Sequence, residues 1–190
     1  MRILAVAAIA ALASNAYAGI SADASLSLDQ KLGSYYYYTI TLHNTGDTDI
    51  SSFWYAWEPD INFMLSYPYV NNSPSGWYGY ATGGGPLGDG YDGYGIEWYT
   101  FGAPIAAGDS GTFGFYSYDS PAQLAGDSVN HPGSPVQTSY VYQGFPEGDP
   151  DTDPFASFVV SPAAPAPVPE PASLGLLAGG TLLLTCRRKR

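Results

Sequence analysis

Glycine and proline interrupt this 190-residue chain 23 and 16 times, so no long segment can settle into a helix. What survives between the breaks is a two-residue rhythm. In SYYYYTITLHNTG (34–46), Tyr36, Tyr38, Ile40 and Leu42 fall on one face, and Tyr35, Tyr37, Thr39 and Thr41 on the other. Asn44-Thr45-Gly46-Asp47 then supplies a turn, because Asn and Gly tolerate positive φ. A first strand runs from near Ser21 through Ser-Leu-Ser-Leu (25–28). SSFWYAW (51–57), GIEWYTF (95–101), GTFGFYSY (111–118), TSYVYQG (138–144) and ASFVV (156–160) read as further strands. No helical crossover joins them, so the pairing should be antiparallel. Seven short strands in about 150 residues predict an all-β fold, an immunoglobulin-like antiparallel β-sandwich, with a small barrel as the alternative.

Residues 76–95, GWYGYATGGGPLGDGYDGYG, hold nine glycines and four tyrosines and read as a long surface loop, too flexible for a core strand. Trp77, Tyr78, Tyr80, Tyr91 and Tyr94 stand there among residues that cannot build a regular core. Their ring faces suit stacking on sugars, with Asp89 and Asp92 able to accept hydroxyl hydrogen bonds. The competing reading folds the loop back onto its own sheet. Trp54, Trp57, Trp98 and roughly half the tyrosines are expected in the sandwich core.

The N-terminus has the layout of a secretory signal peptide. Arg2 is followed by an apolar run from Ile3 to Ala13 and a small-x-small cleavage site at Ala16-Tyr17-Ala18. The segment 19–168 then carries 16 of the 17 acidic residues against Lys31 alone, a formal charge of −15. Such a field repels nucleic acid and anionic lipid and favours divalent cations. Cys186, the one cysteine, lies in the terminal apolar run, so the exported domain has no disulfide.

Catalytic and metal signals are sparse. Gly108-Asp109-Ser110-Gly111 matches the surroundings of a trypsin-like nucleophile, but those enzymes need two barrels and well over 200 residues. Here the four letters read as a turn opening a strand. His43 and His131 lack the spaced partners of a transition-metal site, and no phosphate loop or nucleophile elbow appears. No enzymatic activity is expected. Glu147, Asp149, Asp151 and Asp153 alternate like calcium ligands, although Pro154 and Val160 stand where an EF-hand requires Gly and Glu. A looser calcium site and a solvated acidic turn are the two readings.

The C-terminus begins with SPAAPAPVPEP (161–171), an extended polyproline-like spacer. The apolar run from Ala172 to Cys186 is broken by Gly175, Gly179 and Gly180. As a short helix it rises about 22 Å, below a roughly 30 Å hydrocarbon core. Arg187, Arg188, Lys189 and Arg190 would hold its end on the cytoplasmic side, making it a transient transmembrane anchor.

Val168, then Pro169-Glu170-Pro171, a glycine-containing apolar run and a basic end resemble the PEP-CTERM sorting tail of bacterial exported proteins. That tail is also known as the ice-binding protein C-terminal domain. The resemblance implies recognition by an exosortase, cutting near Pro-Glu-Pro, and delivery to the cell surface, often alongside exopolysaccharide production. YTITLHNTGDTDISSFWYAW (38–57) and PIAAGDSGTFGF (104–115) are similar, less specifically, to sandwich domains carried by such tails. Ice binding itself is not expected, since Thr39 and Thr41 form the one close strand pair of threonines.

The resulting plan is a signal peptide (1–18), a β-sandwich (19–160), a Pro/Ala-rich linker (161–168) and a sorting tail (169–190). Its function is that of a non-catalytic surface or matrix protein. The alternative is a calcium-assisted module for extracellular polysaccharide.

Overall fold

The computed structural model describes residues 19–84, 93–144 and 154–162. The signal peptide, the acidic calcium candidates, the sorting motif, the basic end and the expected C-terminal helix therefore lie outside the described residues. The chain opens with β1 (Ala22–Leu32), β2 (Tyr35–Asn44), β3 (Ser52–Tyr55), β4 (Trp57–Glu58), β5 (Ile61–Asn62) and β6 (Tyr69–Asn72). It continues with β7 (Trp77–Gly83), β8 (Tyr94–Thr100), β9 (Ser110–Ser117), α1 (Pro121–Leu124), β10 (Thr138–Tyr142), β11 (Phe155–Val159) and β12 (Ser161–Pro162).

Two five-stranded sheets pack face to face. The first has the order β12-β1-β2-β9-β6 and the second β11-β10-β3-β8-β7, while β4 and β5 form a ribbon of their own. Pairing is antiparallel within both sheets except for β1 with β12. The sheets stay separate, so the sandwich forms and the barrel does not.

The alternation in β2 does what its pattern requires. Tyr38, Ile40 and Leu42 are buried, and their β9 neighbours Phe113 and Phe115 continue the same inner layer. From the second sheet, Phe53 and Trp98 meet Phe113 at ring distances of 5.3 and 5.1 Å, and Tyr55 meets Phe115 at 5.5 Å. Aromatic burial of this density supplies the apolar area that a disulfide-free domain needs.

Residues 76–95 are not one long loop. β7 and β8 pair from Trp77 opposite Thr100 to Gly83 opposite Tyr94. The glycines that argued against a strand are what allow this one. Gly79 lies opposite Trp98, and a Cβ there would come 2.4 Å from the indole Cδ1 and 2.7 Å from Val70 Cγ1. The bare backbone lets the indole lie across the strand. Gly79→Ala should therefore destabilise the domain by about 1–3 kcal/mol, measured by urea unfolding, because Trp98 is fully enclosed and cannot move aside.

One element had a legible signal that the strand pattern obscured. Ser120-Pro121-Ala122-Gln123 opens the single turn α1 with a capping box: Ser120 N donates to Gln123 Oε1 at 2.8 Å, and Gln123 N donates to Ser120 Oγ at 3.4 Å. Among the described residues, no helix is long and apolar enough to cross a membrane.

Candidate functional site

Both phases of the second sheet's strands carry aromatic residues, so this sheet is apolar on its inner face and aromatic on its outer one. In β8, Ile96 and Trp98 point to the core, which leaves Glu97 and Tyr99 facing outward. Strand register then sets their neighbours. Tyr80, Glu97, Trp54 and Tyr140 form one row across β7, β8, β3 and β10. Tyr78, Tyr99, Ser52, Tyr142 and Phe155 form the next, ending on β11. Five strands at about 4.8 Å make this platform roughly 19 Å wide.

The rings brace one another. Tyr78 stacks on Tyr99 at 5.6 Å, and Tyr80 meets Tyr99 edge-on at 6.0 Å. Phe101 closes the end of the row against Tyr99 at 5.6 Å. Farther along, Trp57 covers Trp54 at 4.1 Å and takes the edge of Tyr140 at 5.6 Å. Tyr78, Tyr80 and Phe101 remain 56%, 42% and 71% exposed, so much of each ring is open to solvent although its neighbours hold it in place.

Glu97 fixes the platform from beneath. Its side chain is fully buried, and Tyr80 donates its hydroxyl to Oε2. A buried carboxylate is a demanding acceptor, so this bond orients the Tyr80 ring more firmly than packing alone would. Burial also pushes the Tyr140 hydroxyl above the ordinary tyrosine value, and the Glu58 carboxylate adds to the shift. Tyr140 thus stays protonated through the neutral range.

The structure divides the residues singled out from sequence. Tyr78 and Tyr80 belong to the platform. Trp77 points the other way: it is buried against Phe113 at 5.3 Å, and its indole N–H donates to the Ala103 carbonyl at 2.7 Å. Tyr94 is half-buried on that inner side, edge-on to Tyr67 at 5.5 Å. Tyr91, Asp89 and Asp92 lie outside the described residues, as do Glu147, Asp149, Asp151 and Asp153. Among the described residues, no group of three His, Cys, Asp or Glu side chains could hold a metal ion.

Sequence reading placed Trp54 and Trp57 in the core and did not single out Tyr99, Phe101, Tyr140 or Phe155. Trp98 is a core residue; Trp54 is buried as expected, but on the outer side of its sheet, where the half-buried Trp57 covers it. The signal was present in SSFWYAW and GIEWYTF, where consecutive aromatics occupy both phases of a strand.

Register also aligns Asp23, His43 and Ser110 across β1, β2 and β9 on the first sheet. These three residue types make hydrolytic triads, yet here they sit on an open sheet face. His43 Nδ1 is 3.8 Å from Asp23 Oδ1, with the two side chains 44% and 74% exposed. Among the described residues no hydrogen bond joins Ser110 to His43. A triad requires that bond, an oriented base and a cleft, so Ser110 serves as the turn-to-strand residue that its sequence context indicates.

Residues 167–190 match the PEP-CTERM protein-sorting motif. The motif marks the chain as an exported protein sorted to the cell surface, and it implies recognition by an exosortase, a membrane sorting enzyme. No curated protein matches the chain. Among solved structures, the chain is similar to the GH20 exo-β-N-acetylglucosaminidase from Vibrio harveyi, at 14% identity and a TM-score of 0.42. The match covers 77% of this chain but 19% of that enzyme, so the chain spans about a fifth of its length. It is also similar to the CBM3b module of the scaffoldin subunit ScaA from Acetivibrio cellulolyticus (12% identity, 63% and 90% coverage, TM-score 0.36). A CBM3 of Hungateiclostridium clariflavum matches at 10% identity, with 79% and 99% coverage and a TM-score of 0.36.

Proposed function

We propose that this protein is a non-catalytic component of the bacterial surface or extracellular matrix, whose sandwich binds polysaccharide on the outer aromatic face of its second sheet. An exosortase cuts its tail near Pro169-Glu170-Pro171 while Arg187, Arg188, Lys189 and Arg190 hold the end at the membrane. The observation that carries the binding reading is the pair of exposed rings Tyr78 and Tyr80, both held in place by the half-buried Tyr99 between them. The electron-rich face of such a ring attracts the polarised C–H face of a pyranose. A ring already immobilised loses little entropy on binding. The acidic domain repels anionic chains, so the ligand is a neutral or cationic polysaccharide.

Binding is tested by co-sedimenting the protein with insoluble neutral polysaccharides, with calcium or with chelator. Tyr78→Ala/Tyr99→Ala should weaken retention at least tenfold, since paired aromatic anchors dominate such contacts, in a variant whose circular dichroism shows the sandwich retained. Absence of retention by the unaltered protein on every polysaccharide, in both conditions, would defeat the reading. A calcium requirement that is lost in Asp149→Asn/Asp151→Asn would support Glu147, Asp149, Asp151 and Asp153 as the ligands, and indifference to chelator would remove that part. Sorting is tested by mass spectrometry of the mature C-terminus. A chain ending near Glu170 supports processing; intact Arg190 in the membrane fraction contradicts it.

A further inference from the structure

A tyrosine cleft opens on the outer face of the first sheet, on the side of the sandwich away from the platform. Leu32, Tyr35, Tyr116 and Tyr69, from β1, β2, β9 and β6, line an open space of about 360 Å3. Leu32 reaches this face because the register shifts between Leu28 and Gln30, so that Leu32 pairs with Tyr35 instead of turning inward. Tyr35 and Tyr69 meet edge-on at 6.1 Å, and Leu32 and Tyr69 stay 43% and 49% exposed.

The chain's own course leads to this cleft. β12 runs parallel to β1, with Ser161 beside Ser25 and Pro162 beside Leu26, so a chain continuing from β12 travels toward Leu32. Leu32 is six residues on from Leu26, and Val168, next to the sorting motif, is six residues on from Pro162. At about 3.1–3.3 Å per residue both paths cover about 20 Å. The chemistry matches as well as the length. Pro165, Pro167, Pro169 and Pro171 alternate through the tract, and pre-extended proline-rich segments dock in aromatic-lined grooves at small entropic cost.

We propose that the cleft docks the end of the chain's own proline-rich tract, residues 168–171, and so holds the sorting motif against the domain until the tail is cut. This site is separate from the sugar platform and does not depend on it.

The test uses the full chain without its signal peptide, in detergent, with Tyr69 replaced by photoreactive p-benzoylphenylalanine. Irradiation should give an intramolecular adduct that maps to residues 168–171. Tyr35→Ala/Tyr116→Ala in the same background should cut that adduct at least fivefold, with the near-ultraviolet circular dichroism retained. Adducts to a second copy, to added polysaccharide or to other parts of the chain, or no adduct at all, would overturn the proposal. An undiminished adduct in the double variant would do the same. If that variant does not fold, the mapped adduct of the single-site protein decides alone.

Discussion

Trp98→Ala is expected to destabilise the sandwich by about 3–5 kcal/mol, which lowers the melting temperature by about 10 °C or more. The indole is fully buried, stacks on Phe53 at 5.4 Å, meets Phe113 at 5.1 Å and lies across Gly79. Its neighbours come from three strands in two sheets, so they cannot collapse together into the space it leaves. Trp98→Phe should be far milder, about 1–2 kcal/mol. Among the described residues the indole Nε1 has no hydrogen-bond partner, so the smaller ring removes a buried polar atom along with the lost volume. Thermal melts of the two variants check both figures; equal losses would show that Trp98 is not the keystone its contacts indicate.

Asp119→Ala should be less stable than Asp119→Asn by about 3 kcal/mol at neutral pH. Asp119 is buried, and its Oδ2 accepts the backbone N–H groups of Leu65 and Ser66 at 3.1 and 3.2 Å, tying the segment after β5 to the end of β9. Asn keeps an oxygen for those donors, whereas Ala leaves both without an acceptor. The carboxylate also makes stability depend on pH. Burial holds the Asp119 carboxyl above its usual value of 3.8, an effect partly offset by hydrogen bonds from Ser66 and Leu65. A pKa raised by folding gives a contribution that is complete below the unfolded-state value and is lost as pH rises through the folded-state one. Stability should therefore increase on acidification from pH 7 toward pH 4. The crowd of carboxylates facing a single lysine in residues 19–168 pushes the same way. In Asp119→Asn the rise should persist but be smaller. An unchanged rise would show that Asp119 contributes none of it.

The all-β sandwich was legible from alternation, because a one-residue error in phase would turn Tyr38, Ile40 and Leu42 out into water. β2, β9 and β10 appear where their patterns place them. β7 was illegible for a specific reason. A glycine-rich strand looks like a loop until the residue filling the glycine's empty side is known, and Trp98 lies almost twenty positions away. Platform membership was half legible: Tyr78 and Tyr80 stood out by their glycine surroundings, but their division from Trp77 follows from pleat phase alone. Tyr99, Tyr140 and Phe155 join them through register across strands distant in sequence, which periodicity within one segment cannot report. The tail is the reverse case. Its order of motif, apolar run and charge is local, and so could be read without any tertiary information.

The two-residue strand β12 has a consequence for how such proteins coexist at high local density. An outermost strand normally presents a row of free amides and carbonyls to any passing chain, the usual start of edge-to-edge assembly. Beside β1 that row is partly taken by Ser161 and Pro162, and Pro162 has no N–H to offer a newcomer. The exit of the chain thus doubles as a guard on the sheet edge, and this part of the fold resists polymerising at the cell surface to which the tail sorts it.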